Sequence, residues 1–260
     1  LFFDIVHFKF FNVTYGIPEG DAFLRQIGNC LKEVFPGHFI SRFDVDHFMV
    51  LADSDGVEDK IREAHSRILA LRPSAKVDCK AGIYQLGRWG ADPNLAVTRV
   101  KIACDSIHDS GDRFMAYYTA ALDRKVELKD YVSRHMDEAV EKGYIKAYYQ
   151  PIVRTVSGAL CGMEALARWE DPEKGFLQPA DFISALEESR QIHKLDLEII
   201  RQVCENFSRC MAEGRPVVPV SVNLSRLDFL QCDIFQEVEN RVLEYNVPRD
   251  MIHIEITERL

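Results

Sequence analysis

GMEALARWED, residues 162–171, lies in a predicted strand over 159–169 and carries two charged groups on one face. Arg168 stands four residues after Glu164, so on a continuous strand both project the same way, and the guanidinium could clamp a phosphate by paired hydrogen bonds. Two further stretches repeat the theme. VSVNLS, residues 220–225, places Asn223 near the end of a predicted strand over 217–224. IEITE, residues 254–258, places Glu255 and Glu258 at the end of one over 251–257. Strand C-terminal ends are where ligands converge in β/α barrels. Carboxylates and an amide oxygen are hard donors of the kind Mg²⁺ or Mn²⁺ prefers. Each group also has a plainer reading: a glutamate near a strand end is commonly a solvated rim residue, and NLS is commonly a turn, with Ser225 capping a helix from Arg226.

Working outward, the second half reads as strands 144–154, 159–169, 217–224 and 251–257 with helices 179–189, 193–213 and 226–246. Apolar strands alternating with helices predict parallel β/α units. Residues 120–142 are charged, free of proline and predict a connecting helix, which transmits position better than a Gly/Ser linker. Upstream, the pattern predicts strands at 1–8, 38–52 (a hairpin), 76–86 and 113–119, with helices 20–35, 57–72 and 93–108. That order predicts an α+β sandwich, one sheet with its helices on one face. The fold class is α/β: an α+β domain over 1–119, a helical linker over 120–142, and the first part of a TIM-type β/α barrel over 143–260.

The 260 residues are 47% apolar with a net charge of −9. A chain of that charge lacks the basic face a nucleic-acid polymer requires, so a phosphate-bearing ligand must be held locally by a few cations or metal ions. Seven cysteines, an odd number with no CxxC pair, argue against a disulfide framework or zinc motif and fit a reducing cytosol. The apolar runs fall short of a membrane span, although a membrane-bound sensor outside this sequence is compatible with them.

YYQPIV (148–153), MEALARWEDPEKGFLQPADFI (163–183), VSVNLS and IEITE resemble, in order, the signature blocks of the EAL family of cyclic-di-GMP phosphodiesterases. The resemblance runs from about Tyr148 onward. It implies hydrolysis of one phosphodiester of cyclic-di-GMP to linear pGpG with Mg²⁺ or Mn²⁺. It makes Glu164, Asn223 and Glu255 metal ligands, with Glu164 catalytic. Arg168 contacts the ligand phosphate, Gln150 and Leu166 line the dinucleotide cleft, and Glu258 anchors a neighbouring catalytic loop. The family's later Asp–Asp pair, water-activating Lys and further metal-binding Glu are not among the 260 residues. A barrel takes roughly 250 residues and 137–260 supply about half. The expectation is a longer natural protein, with no turnover by these residues alone.

FDIVHFKFFN (3–12), GDAFL (20–24) and RFDVDHFMVL (42–51) resemble the GGDEF domain of diguanylate cyclases. The signature turn here is Asp44-Val45-Asp46-His47-Phe48. Both glycines are gone, Val45 brings a β-branched side chain where the backbone must approach nucleotide closely, and His47 replaces a hard oxygen ligand with imidazole. Asp4 matches the first metal-binding Asp, but Val6 occupies the position of the second and Val13 replaces the Asp after Asn12. Phe35 and His38 stand where the inhibitory Arg-x-x-Asp charges belong. The expectation is no cyclase activity. Asn12 and Asp21 match guanine-reading positions and leave GTP binding open; Asp21 alternatively only favours a helix start.

Among the other candidates, His7, His47 and His253 show no metal-ligand spacing and read as packing or surface residues. Trp89, in LGRWGADP, reads as a surface contact, Trp169 as a cleft residue, and Tyr148-Tyr149 as barrel packing. The family commonly forms dimers, so a homodimer is expected. The functional expectation is a phosphodiesterase regulated by an inactive cyclase domain; the alternative is a silent cyclic-di-GMP receptor or protein scaffold.

Overall fold

The structure is a computed structural model that describes residues 1–87, 92–107 and 113–257. The chain divides into two compact units, Leu1–Arg124 and Lys125–Leu260. Trp89 and Glu258 lie outside the described residues.

The first unit runs β1 (Phe2–Val6), α1 (Phe8–Tyr15), α2 (Ile17–Val34), β2 (Phe39–Arg42), β3 (His47–Leu51), α3 (Val57–Leu71), β4 (Asp78–Ile83), α4 (Pro93–Asp105) and β5 (Met115–Tyr117). The sheet order is β2-β3-β1-β4-β5, antiparallel except for the β4–β5 pair. Helix α1 departs from the sequence expectation, which continued a strand through Phe8. His7 takes a left-handed conformation (φ 67°) that ends β1, and Phe8 and Phe11 then share a buried helical face. Phe11 stacks on Phe23 of α2 at 4.8 Å between centroids.

Helices cover both sheet faces, not one. Phe3, Ile5, Phe48 and Val50 pack with α2 and α3 residues such as Ile27, Leu31, Ile61 and Ile68. The alternate position, Phe2, packs on the other side with Val100 and Cys104 of α4. Gly82 lets α4 come this close: a β-carbon there would overlap the Val100 carbonyl and the Cys104 amide nitrogen. Both are backbone atoms and cannot swing aside, so Gly82→Ala is expected to lower stability by about 1–3 kcal/mol through overpacking. An unchanged urea midpoint for that variant would show that α4 is free to lift.

The second unit contains most of α5 (Ala120–Glu141), then β6 (Ile145–Val153), β7 (Leu160–Asp171), β8 (Gly175–Leu177), α6 (Pro179–Glu188), α7 (Ile192–Ala212), β9 (Val220–Ser225), α8 (Asp228–Gln231), α9 (Ile234–Glu244) and β10 (Ile252–Thr257). The α5 residues Val132, Met136 and Ala139 are fully buried in this unit's core, so α5 is part of the fold as well as a connector. The sheet order is β10-β9-β7-β6, with β8 on β7. Parallel pairing holds for β7–β9 and β9–β10, but β6 and β7 form an antiparallel hairpin. The expected helix over 226–246 is broken, because Asp233 accepts from the Gln236 amide at 3.2 Å and starts α9 as its own N-cap.

Trp169, Ala165, Val220, Val222 and Leu224 face the helices and are buried. Trp169 therefore does not line a cleft. Its ring is fully buried against Phe182, and Nε1 donates to Asp171 at 3.2 Å. Asp171 also accepts from the Tyr131 hydroxyl and the Glu173 and Lys174 amides. Burial pushes this carboxyl up, and the four donors outweigh it, leaving Asp171 below its ordinary range.

Candidate functional site

Alternation along the strands sets the opposite face of the second sheet. Across the β6–β7 hairpin, Gln150 pairs with Glu164, Tyr148 with Leu166 and Lys146 with Arg168. Directly opposed residues share a face, as do i and i+2 along each strand. Glu164, Leu166, Arg168, Gln150, Tyr148 and Lys146 therefore line one surface. On the parallel side Glu164 pairs with Ser221, and Asn223 pairs with Glu255. All the described residues of the second unit expected from sequence to hold metal or ligand thus lie on this one face.

Within it, Asn223 Nδ2 donates to Glu164 Oε1 at 2.9 Å. The bond crosses between adjacent strands and fixes both side chains. It leaves the second Glu164 oxygen and the Asn223 amide oxygen as acceptors beside Glu255 on β10. Every donor atom offered is oxygen, which suits a hard divalent cation. Unlike Asn223 and Glu255, Glu164 does not lie near the end of its strand. It is the fifth residue of twelve in β7, because the strand runs on past its parallel segment to pair with β8.

The rest of the face carries a guanidinium held on an aromatic ring. The Arg168 guanidinium lies over the Tyr148 ring at 5.8 Å, a cation–π contact that orients the charge. Tyr148 donates to Glu170 at 2.7 Å, and hydrogen bonding to that carboxylate raises the phenol pKa. Sequence reasoning assigned Tyr148 to packing. The hairpin register that faces it toward Leu166 and Arg168 was the missing signal, while Tyr149 turns toward the core.

Ser225, at the end of β9, does not cap the following helix. Its amide donates to Asp196 at 3.1 Å and Asp228 at 2.8 Å, and its hydroxyl to Glu187 at 3.0 Å. Burial raises the Asp196 carboxyl well above its usual range, with the Asp228 charge adding to it, and burial raises Asp228 as well. The folded state therefore holds protons that the unfolded chain has released. Stability should fall as pH rises from the ordinary carboxylate range through these raised values. Asp228→Asn keeps an acceptor for Ser225 and removes one charge, so it is expected to flatten that slope. Urea midpoints measured across the same pH window test this; parallel slopes for both proteins would overturn it.

In the first unit, Asn12 packs on Gly20 of α2, and its Oδ1 is buried without a partner. Asp21 is exposed in the second turn of α2, past the helix start where an N-terminal role would place it. Asp4 of β1 and His47 of β3 are register partners, and His47 Nε2 lies 3.5 Å from Asp4 and 3.7 Å from Asp46. The resemblance names these positions one by one; their contact comes from the pairing of β1 with β3.

Comparison with known proteins follows the same division. The family model for the diguanylate cyclase GGDEF domain matches residues 1–104, and that for the EAL domain matches residues 133–260. The bifunctional diguanylate cyclase/cyclic di-GMP phosphodiesterase MucR of Pseudomonas aeruginosa is 23% identical over 99% of this chain and 39% of its own length. The cyclic di-GMP phosphodiesterase PdeR of Escherichia coli is 27% identical over 99% of this chain and 40% of its own. The chain thus spans roughly two fifths of these relatives. A solved structure of the S helix-GGDEF-EAL portion of Vibrio cholerae LapD, bound to c-di-GMP, aligns with a TM-score of 0.58 at 16% identity, covering 98% of this chain and 61% of that one, a likeness of fold alone. A GGDEF domain followed by an EAL domain accounts for both compact units, and the chain belongs to the tandem GGDEF–EAL proteins.

Proposed function

We propose that the EAL half serves a cyclic-di-GMP phosphodiesterase that yields pGpG, and that the GGDEF half is a catalytically inactive regulatory module. The observation that carries this reading is the face shared by Glu164, Asn223, Glu255 and Arg168, with the Asn223–Glu164 hydrogen bond at its centre. Glu164, Asn223 and Glu255 would hold Mg²⁺ or Mn²⁺. Such an ion supplies Lewis-acid polarisation of a phosphoryl oxygen and an acidified water. The chain's own groups do the positioning. Asn223 orients the Glu164 carboxylate, and Arg168, steadied on Tyr148, presents a guanidinium to a non-bridging phosphate oxygen. Gln150 and Leu166 flank that point on neighbouring register positions and would contact the dinucleotide.

For the GGDEF half, Val6, Val45 and His47 replace groups that the cyclase reaction uses. GTP binding through Asn12 and Asp21, and pairing of two copies, belong to the same proposal. The test is incubation of the full-length protein with cyclic-di-GMP and Mn²⁺, and separately with GTP, followed by chromatography. Accumulation of pGpG with no cyclic-di-GMP made from GTP is the expected result. Nucleotide binding without turnover would make the protein a receptor; neither would sink the reading.

A further inference from the structure

Asp4, Asp46 and His47 do not fit the ion that a nucleotide cyclase uses, and the mismatch points elsewhere. Magnesium demands near-octahedral oxygen coordination and takes imidazole poorly. The position of the second carboxylate is Val6, which removes one oxygen, and His47 replaces another. What remains is one nitrogen and two carboxylates whose ligand atoms all lie within 4.8 Å of one another.

We infer that these three side chains form a site for a borderline first-row divalent cation, Zn²⁺ foremost, independent of nucleotide. Zinc takes nitrogen and oxygen at about 2.0–2.2 Å in tetrahedral array, which separates neighbouring ligand atoms by roughly 3.3–3.5 Å. The observed His47–Asp4 and His47–Asp46 separations of 3.5 and 3.7 Å stand at or just above that range. Three protein ligands leave a fourth position for water, the pattern of an open zinc site.

The surroundings hold the ligands in place. The side chains are only 21–28% exposed. Phe2 lies on the same sheet face and packs its ring on the His47 imidazole at 5.0 Å between centroids. Asp46 is fixed by its carbonyl, which accepts from the Ile5 amide at 3.2 Å. Arg42 ties the turn down by donating to the Val45 carbonyl at 2.6 and 3.0 Å. Lys80 is the register partner of Asp4 on β4, and its ammonium donates to the Ile107 carbonyl at 2.8 Å. With Asp105 also nearby, the local balance of charge favours a cation. A bound dication would replace the weak His–Asp contacts with direct bonds.

The test is calorimetric titration of the chelator-stripped full-length protein with Zn²⁺, Mn²⁺ and Mg²⁺, beside His47→Ala, His47→Glu and Asp46→Asn. Cysteines elsewhere can bind zinc, so the informative quantity is the difference between proteins. The wild type is expected to bind one more equivalent of Zn²⁺ than His47→Ala, or to bind it at least about 10²-fold more tightly, since even outer-shell partners are worth 10–100-fold. Bound Co²⁺ should show visible ligand-field absorption that His47→Ala loses. His47→Glu is expected to move the preference toward Mn²⁺ and Mg²⁺. Asp46→Asn leaves the strands intact and keeps the test open should His47→Ala fail to fold. Equal zinc binding by wild type, His47→Ala and Asp46→Asn, or equal affinity for Mg²⁺ and Zn²⁺, would overturn the site and leave only an internal His–Asp ion pair.

Discussion

Glu164→Gln in the full-length protein is expected to lower cyclic-di-GMP turnover by at least about 10²-fold, because loss of merely an outer partner of a metal ligand already costs 10–100-fold. The substitution is nearly isosteric and keeps an oxygen for the Asn223 amide, so the inter-strand hydrogen bond at 2.9 Å can survive. What disappears is the negative charge that would hold the cation. Fold and function therefore separate in this variant. The urea midpoint should stay close to the parent, while activity falls and excess Mn²⁺ recovers part of it. If Glu164→Gln turned over substrate at the parent rate, Glu164 would be no metal ligand and the proposed chemistry would fail. Asn223→Ala is the companion. It removes an amide oxygen and frees the Glu164 rotamer, and a smaller loss is expected there than for the charge itself.

The largest stability effect is expected at Trp169, which carries no catalytic role. Trp169→Ala should cost about 3–5 kcal/mol, the range for emptying a buried aromatic site. The ring is fully buried against Phe182, and its loss also removes one of four donors to Asp171. Trp169→Phe keeps most of the packing and loses only the N–H donor, for roughly 1–2 kcal/mol. Denaturant unfolding followed by far-ultraviolet circular dichroism distinguishes the two. Equal costs for both variants would mean that the hydrogen bond, and not the packing, dominates.

Trp169 also shows what the sequence could and could not disclose. Its neighbour Arg168 was placed on the ligand face by counting in twos from Glu164, and the same counting puts Trp169 on the other face. The misreading came from treating proximity in sequence as proximity to the cleft. Elements were legible where periodicity was long and uninterrupted, as in α3, α5 and α7, which match the expected spans within a few residues. They were illegible where one backbone event decided the outcome. The left-handed His7 ended β1 two residues short of the expected strand and opened the unforeseen α1, and the Asp233 cap split a helix that apolar spacing alone would continue.

Partner choice among strands was equally hidden. Nothing in residues 144–169 distinguishes a hairpin from a parallel crossover except the short stretch between the two strands. The residues of the candidate site were all assigned to it from sequence, apart from Tyr148 and Lys146. Their common face followed from register, which only the structure supplies. The Asp4–His47 pairing shows the same limit. Forty-three positions apart, the two meet because β1 lies between β3 and β4.

The β6–β7 hairpin has a consequence for how the protein is made. Its nine registered pairs join residues only 7 to 24 apart in sequence. Such local pairings close on a microsecond scale, far faster than contacts that must wait for distant chain. On a ribosome adding roughly 5–20 residues per second, the hairpin can zip and its Gln150–Glu164 register be chosen before Asn223 has been synthesised. The later strands then dock onto a template whose ligand face is already decided. Pulse-labelled hydrogen exchange during refolding should find β6 and β7 amides protected ahead of those in β9 and β10; the reverse order would show that the parallel strands assemble first.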